Sequence, residues 1–297
     1  MGDFVIIADS TADLSKDLRE QYQIDYVRMN YVVDGNEYTA SLDWENHSVS
    51  DFYNMMRDGK RILTTQVPRE EYIEKFTGYL SQGKDILYIA CSSALSGSIN
   101  LAVIIAKELK EEYPERNIIC IDSLCSSLGQ GYMLLRAAQL KAEGKSLEET
   151  AAYIEENKLK VNQFGTVDSL NYLKRAGRVT ASSAFFGNMF GIKPIIISDK
   201  QGQNYAIEKV KGAANAKLRI AQHISEIVDK NDQEYLLISH ADCLEDAEKL
   251  RDNILAVVPF KNVIIGTIGP IVGSCVGPGT IIAFCYGKEV TITGGNE

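Results

Sequence analysis

The chain has 297 residues, roughly twice the ~150 residues of a typical domain, so two domains are expected. Its 31 Lys+Arg against 40 Asp+Glu leave a formal charge of −9, which argues against a nucleic-acid or anionic-membrane binder, since both attract a basic face. With 45% apolar and 24% charged residues, the chain is neither disordered nor fibrous and can bury a large core.

Residues 4–8 form a short apolar run closed by Asp9-Ser10-Thr11, and a helical pattern follows to about Tyr22. Residues 24–33 read as one strand, with Asp34-Gly35 as a hairpin turn into 37–39. Helical patterns cover 49–57 and, after Pro68, 69–80. Strand 86–90 precedes helix 96–113. Strand 118–121 precedes helix 129–142, which stops at Gly144. Ser146 and Glu149 have the spacing of a capping box and open a helix to about Lys158. Short apolar strands alternating with amphipathic helices predict a parallel sheet covered on both faces.

The rhythm then changes. Residues 164–167 and 193–197 read as strands, and Gly202 turns a hairpin back through 205–210. Helices are expected at 213–229 and 244–257, with strands at 235–239, 263–268 and 281–285. A hairpin among βα units predicts a mixed sheet. The fold class is therefore α/β, with a parallel-sheet domain over 1–160 and a mixed-sheet domain over 161–290. Residues 263–287 carry no charge, but six Gly and two Pro make a strand, a Gly-rich loop and a second strand a better reading than a membrane helix. Six cysteines without a CxxC pair, and a start without a basic, apolar leader, lead us to expect free thiols in the cytoplasm.

Two motifs only resemble chemistry. Residues 78–84 match most of a P-loop, but Asp85 replaces the magnesium-binding Ser/Thr, and Gly83 reads better as a helix stop. Gly273-Ser274-Cys275-Val276-Gly277 has nucleophile-elbow spacing with Cys275 as nucleophile, yet a Gly-rich loop approaching a ligand suits its surroundings better. No HExxH or other metal-ligand spacing occurs.

More informative is where hydroxyls fall. Asp9-Ser10-Thr11, Ser92-Ser93 with Ser96 and Ser98, and Asp122-Ser123 end strands, and Thr64-Thr65-Gln66 precedes a helix. Ligands of open α/β sheets bind beyond the carboxyl ends of strands, so these residues suit a small carboxylate or phosphate; each Ser is equally well an N-cap. Arg178 is either a solvated loop charge or a donor fork for a carboxylate. Phe185, Phe186, Met189 and Phe190 form an apolar stripe, read as core or as the wall of an apolar cavity.

Taken together, Asp9 to Asp13, Thr64-Thr65-Gln66, Ser92 to Ser98, Asp122-Ser123, Leu170 to Arg178, Lys193-Pro194 and Ile268 to Gly279 resemble the DegV family of bacterial fatty acid-binding proteins. The resemblance implies two α/β domains and one long-chain fatty acid, such as palmitate, stearate or oleate, with its carboxylate near the domain junction. It places the head group on Thr64 or Thr65, on Ser93 with Ser92 adjacent, and on Arg178. It also implies a separate ATP-dependent fatty acid kinase as partner, which turns the bound carboxylate into an acyl phosphate for lipid synthesis, with no catalytic residue, metal or further cofactor in this chain. Ala176 replaces a Gly of the family, and Cys275 stands where the family typically has His. A Cys275-dependent hydrolase or acyltransferase is the alternative reading. A doubly wound nucleotide-binding domain is disfavoured, because no GxGxxG follows the first strand.

Overall fold

The computed structural model describes residues 3–180 and 191–294. In the first domain, β1 (Phe4–Asp9), α1 (Lys16–Tyr22) and β2 (Ile24–Val27) start a parallel sheet. The chain then leaves that sheet. A three-stranded antiparallel sheet follows, made by β3 (Asn30–Val33), β4 (Asn36–Thr39) and, beyond α2 (Val49–Arg57), β5 (Ile62–Thr64), in the order β4-β3-β5. Asp34 and Gly35 both have positive φ, 52° and 79°, as a tight primed hairpin turn requires.

The single strand expected over 24–33 is therefore two strands in two sheets. Arg28 and Met29 separate them, and the Met29 amide is taken by the Ser10 hydroxyl at 3.0 Å instead of by a strand. No Gly or Pro marks that break. After α3 (Arg69–Leu80), β6 (Asp85–Ala90), α4 (Ser98–Glu112) and β7 (Ile118–Asp122) complete the four-stranded parallel sheet β2-β1-β6-β7. Gly83, at φ +76°, turns the chain after α3, as its place in the failed P-loop motif suggested.

Next come α5 (Leu128–Ala142) and α6 (Leu147–Asn157), the latter opened by the Ser146/Glu149 capping box. The second domain holds β8 (Val161–Thr166), α7 (Leu170–Ala176), β9 (Ile192–Ser198), β10 (Asn204–Lys211), α8 (Ala213–Ile227), β11 (Tyr235–His240), α9 (Leu244–Leu255), β12 (Asn262–Thr267), α10 (Pro270–Val276) and β13 (Ile281–Tyr286). Its six strands run β10-β9-β8-β13-β11-β12; only β11 and β12 are parallel, so the sheet is mixed. We propose that the domain boundary lies near residue 160, because β8 is the first strand to join this second sheet.

Helix α5 joins the two halves. It is buried nearly all round and packs on β1 and β6 on one side and on β8, β11 and β13 on the other. Gly129 and Gly131 permit that close approach: a Cβ on Gly129 would stand 2.8 Å from the Phe284 ring, and one on Gly131 3.0 Å from Leu14. Helices α8 and α9 cover the opposite face of the mixed sheet and close a second core. Among the described residues, no helix is long and apolar enough to cross a membrane.

Residues 269–277 are the other departure. The loop expected between the last two strands is helix α10, with Pro270 at a first-turn position and Gly277 at its end, φ +81°. Cys275 thus lies inside a short helix, and the strand–turn–helix bend of a nucleophile elbow is not formed.

Candidate functional site

A cavity opens where the carboxyl ends of β1, β5 and β6 face α10 and the loop after α7. Thr11, Thr64, Gln66, Ser96, Ser126 and Asn204 line its polar side, while Met29, Ile271, Val272 and Val276 supply an apolar wall. Thr65, Cys91, Leu95, Arg178 and Cys275 complete it. It is narrow, with about 60 Å³ open to the centre of a water molecule. Thr65 and Gln66 are exposed, so the polar end reaches solvent.

Local chemistry holds each lining residue. Asp9 is buried at the end of β1; its Oδ1 accepts the Thr11 amide at 3.0 Å and its Oδ2 accepts the Cys91 amide at 2.9 Å and the Tyr88 hydroxyl at 3.2 Å. This clamp fixes Thr11 and Cys91 side by side. Thr65 donates its amide to the Asn30 carbonyl at 2.9 Å, which carries the 64–66 turn off β5. Gln66 fits beside Gly97, where a Cβ would stand 2.8 Å from its Oε1. The Val67 amide donates to Ser98 Oγ at 3.2 Å, and Ser98 meets Ser96 at 3.0 Å, so the two hydroxyl loops are tied together.

Arg178 is the one charged side chain among the described residues lining the cavity. Its Nε donates to the Leu95 carbonyl at 3.1 Å and one terminal nitrogen to the Ala176 carbonyl at 2.5 Å. Those bonds join the loop after α7 to the loop after β6 and leave further N–H donors of the fork for a ligand. Asn204 holds the same loop by donating to the Arg178 carbonyl at 3.0 Å.

Burial pushes the Cys275 thiol up from its ordinary value, with the neighbouring Ser274 and the Arg178 charge offsetting part of the rise. Burial, and then the Asp9 charge, pushes Cys91 well up as well. Neither environment favours a thiolate nucleophile. The three histidines are engaged elsewhere: His47 with the Tyr31 hydroxyl at 2.6 Å, His223 stacked on Phe164 at 5.0 Å, and His240 accepting the Cys243 amide at 3.3 Å.

Of the residues singled out in the sequence, Thr64, Thr65, Arg178 and Cys275 meet at this cavity, together with Thr11, Gln66 and Ser96. Ser92 and Ser93 do not line it. Ser92 is fully buried, its Oγ accepts the Ala94 amide at 3.2 Å, and Gly202 packs against it too closely to carry a side chain. Ser93 is exposed, and its amide donates to Asp122 at 3.1 Å. Ser96, four residues after Ser92, is the hydroxyl of that segment that reaches the cavity. Ser126 and Asn204 were not singled out, and no local signal in the sequence marks them. The stripe of Phe185, Phe186, Met189 and Phe190 lies outside the described residues.

A family model described as "uncharacterised protein, DegV family" matches residues 3–288. The chain belongs to the DegV family. A DegV domain-containing protein of Clostridium perfringens, CPE0026, is 38% identical over 97% of this chain and 98% of its own length. Among solved structures, a DegV-family protein from Thermus thermophilus, described by its fatty acid binding, is 26% identical with a TM-score of 0.86 over 97% of this chain and all of that one. DegV of Bacillus subtilis, described as a fatty acid binding protein, is also 26% identical, with a TM-score of 0.80 over 96% of this chain and all of its own.

Proposed function

We propose that this DegV protein binds one long-chain fatty acid with its carboxylate in the cavity beside Arg178, Thr64 and Thr65, and presents that head group to an ATP-dependent kinase. The observation that carries the reading is the placement of a single guanidinium among hydroxyls and amides, with an apolar wall behind it and solvent in front. A buried carboxylate without such donors would be costly, so the polar residues set which end of the lipid lies here. Ser92 and Ser93 act on the site through the backbone that carries Ser96.

Affinity comes from the other end. About fourteen CH₂ groups at ~0.8 kcal/mol each give about 11 kcal/mol of gross driving force, before ordering costs. A cavity this narrow compares with the space of a few waters, since the centre of one water needs roughly 10–15 Å³. It takes the carboxyl end, and the rest of a long chain is seated by rearrangement of the apolar wall. Protein purified from bacterial cells is expected to carry about one equivalent of long-chain fatty acid, measured by organic extraction and denaturing mass spectrometry. A stoichiometric nucleotide, or no lipid, would overturn the reading.

The Cys275 thiol is a weak donor beside this head group, worth on the order of 1 kcal/mol or less. Cys275→Ala is therefore expected to leave fatty acid affinity within about fivefold, since ~1.4 kcal/mol is tenfold. Titration with a fluorescent fatty acid checks this. Ester hydrolysis by the wild type that vanishes in the Ala variant would instead favour the hydrolase.

A further inference from the structure

We infer that Asp13 is the residue that positions α10, and with it one wall of the cavity, and that its carboxyl shares with Ser127 a hydrogen bond whose direction reverses with its protonation. The consequence for affinity rests on the carboxylate-binding reading above; the positioning role does not.

Asp13 follows β1, is buried, and has left-handed backbone at φ +52°. Its Oδ1 accepts the amide of Gly269, the residue that opens α10, at 2.9 Å. A Cβ on Gly269 would stand 2.7 Å from that oxygen, so glycine is what allows the approach. Its Oδ2 lies 2.5 Å from Ser127 Oγ at the start of α5, and Ser127 Oγ lies 3.1 Å from Ser239 Oγ on β11. One carboxyl thus ties together the end of β1, both domains' contact helix and the helix that supplies Ile271, Val272 and Cys275 to the cavity.

Each hydroxyl has one proton to give. With Asp13 ionised, the single Ser127 proton goes to the carboxylate, and the donation from Ser127 to Ser239 is given up. With Asp13 protonated, Asp13 donates to Ser127 and Ser127 to Ser239. The contacts of Asp13 with Gly269 and Ser127 survive in both states, and protonation of Asp13 frees the Ser127 proton for Ser239.

The titratable groups facing Asp13 are Asp9, from β1, and Tyr53, from α2, whose own hydroxyl donates to the Ile268 carbonyl at 2.7 Å. Among the described residues no cation pairs with it. Burial pushes the carboxyl up to about 7, against the hydrogen bonds from Ser127 and Gly269, and the Asp9 charge adds to the rise. A carboxyl raised above its unfolded value contributes stability that is full below about pH 4 and is lost as the pH climbs to about 7. An anionic ligand in the cavity adds another negative charge and favours the protonated form. Binding is then coupled to proton uptake, and affinity falls as the pH passes from 6 to 8.

Asp13→Asn keeps an acceptor for Gly269 and offers its amide to Ser127, a fixed copy of the protonated state; Asp13→Ala removes both bonds. Hydrogen exchange of the α10 amides is expected to be at least tenfold faster in Asp13→Ala and close to wild type in Asp13→Asn at pH 6. Fatty acid affinity of the wild type is expected to fall about three- to tenfold from pH 6 to 8, and that of Asp13→Asn to change less than twofold. Equal α10 exchange in wild type and Asp13→Ala overturns the positioning role. An Asp13→Asn pH profile matching wild type overturns the proton coupling. Should Asp13→Ala not fold, urea denaturation of Asp13→Asn decides: it must lack the wild-type decline in stability between about pH 4 and 7, and an unchanged decline overturns the inference. A wild type that binds no fatty acid while α10 exchange follows the expected pattern would sink the ligand reading and leave the positioning role standing.

Discussion

Arg178→Ala is expected to weaken fatty acid binding by about 10- to 100-fold while leaving a neutral analogue, such as the matching fatty alcohol, almost unaffected. Hydrogen bonds to a charged group contribute about 1.5–3 kcal/mol, and ~1.4 kcal/mol is a factor of ten. Arg178 is the one charged side chain among the described lining residues, so no neighbouring cation substitutes for it. Its bonds to the Leu95 and Ala176 carbonyls hold the guanidinium plane in place before a ligand arrives. Arg178→Lys should recover little, because an ammonium is a point charge without the planar fork. On the kinase role proposed above, acyl-phosphate formation should fall further than affinity, since a head group that is held loosely is poorly aligned for transfer. The measurement is a displacement titration with acid and alcohol side by side. Equal losses for both, or none for either, would show that Arg178 does not read the carboxylate.

Gly277→Ala is expected to destabilise the protein by about 3 kcal/mol or more and to cost ligand binding with it. Gly277 ends α10 at φ +81° and ψ 166°, a region that side-chain-bearing residues reach only at a cost of about 1–3 kcal/mol. A Cβ there would also overlap the Tyr172 ring, including its Cγ, 2.7 Å away. The ring cannot swing clear at its tip alone. Its hydroxyl donates to the Met56 carbonyl at 3.2 Å and Arg175 stacks on it at 5.1 Å. Relief must therefore move α7 or α10, and α10 is a wall of the cavity. Gly78→Ala is the control: it lies within α3, has nothing within 4 Å of a Cβ, and should be neutral or stabilising by up to about 1 kcal/mol. Urea unfolding of the two variants should diverge; a Gly277→Ala protein as stable as wild type would show that the turn tolerates a side chain.

The Asp34-Gly35 turn, the Ser146/Glu149 capping box and the alternating strands and helices were legible because each is decided by residues a few positions apart. The mixed second sheet was legible for the same reason, from the hairpin at Gly202, which sits at φ +78°. The break at Arg28-Met29 was not, since no Gly or Pro marks it and the Met29 amide is taken by the distant Ser10 hydroxyl. Helix α10 was missed because seven residues, with a Pro and a Gly among them and more Gly on either side, are too few to show a helical period; Asp13, 256 positions from its N-cap Gly269, accepts that residue's amide.

For the site, motif order alone was enough to mark Thr64, Thr65, Arg178 and Cys275, which reach one cavity from far-apart segments. Neighbouring serines were beyond its reach. Whether Ser92, Ser93 or Ser96 faces the cavity depends on how one turn packs under Gly202 and against Gln66, which local composition does not express. By itself, then, the sequence determined most of the elements, the fold class and the family, all of which follow from short-range preference and ordered motifs. Only the tertiary structure decided which hydroxyls share a cavity with Arg178 and which carboxyl holds α10, because those contacts are set by the docking of two domains across a buried helix and span most of the chain.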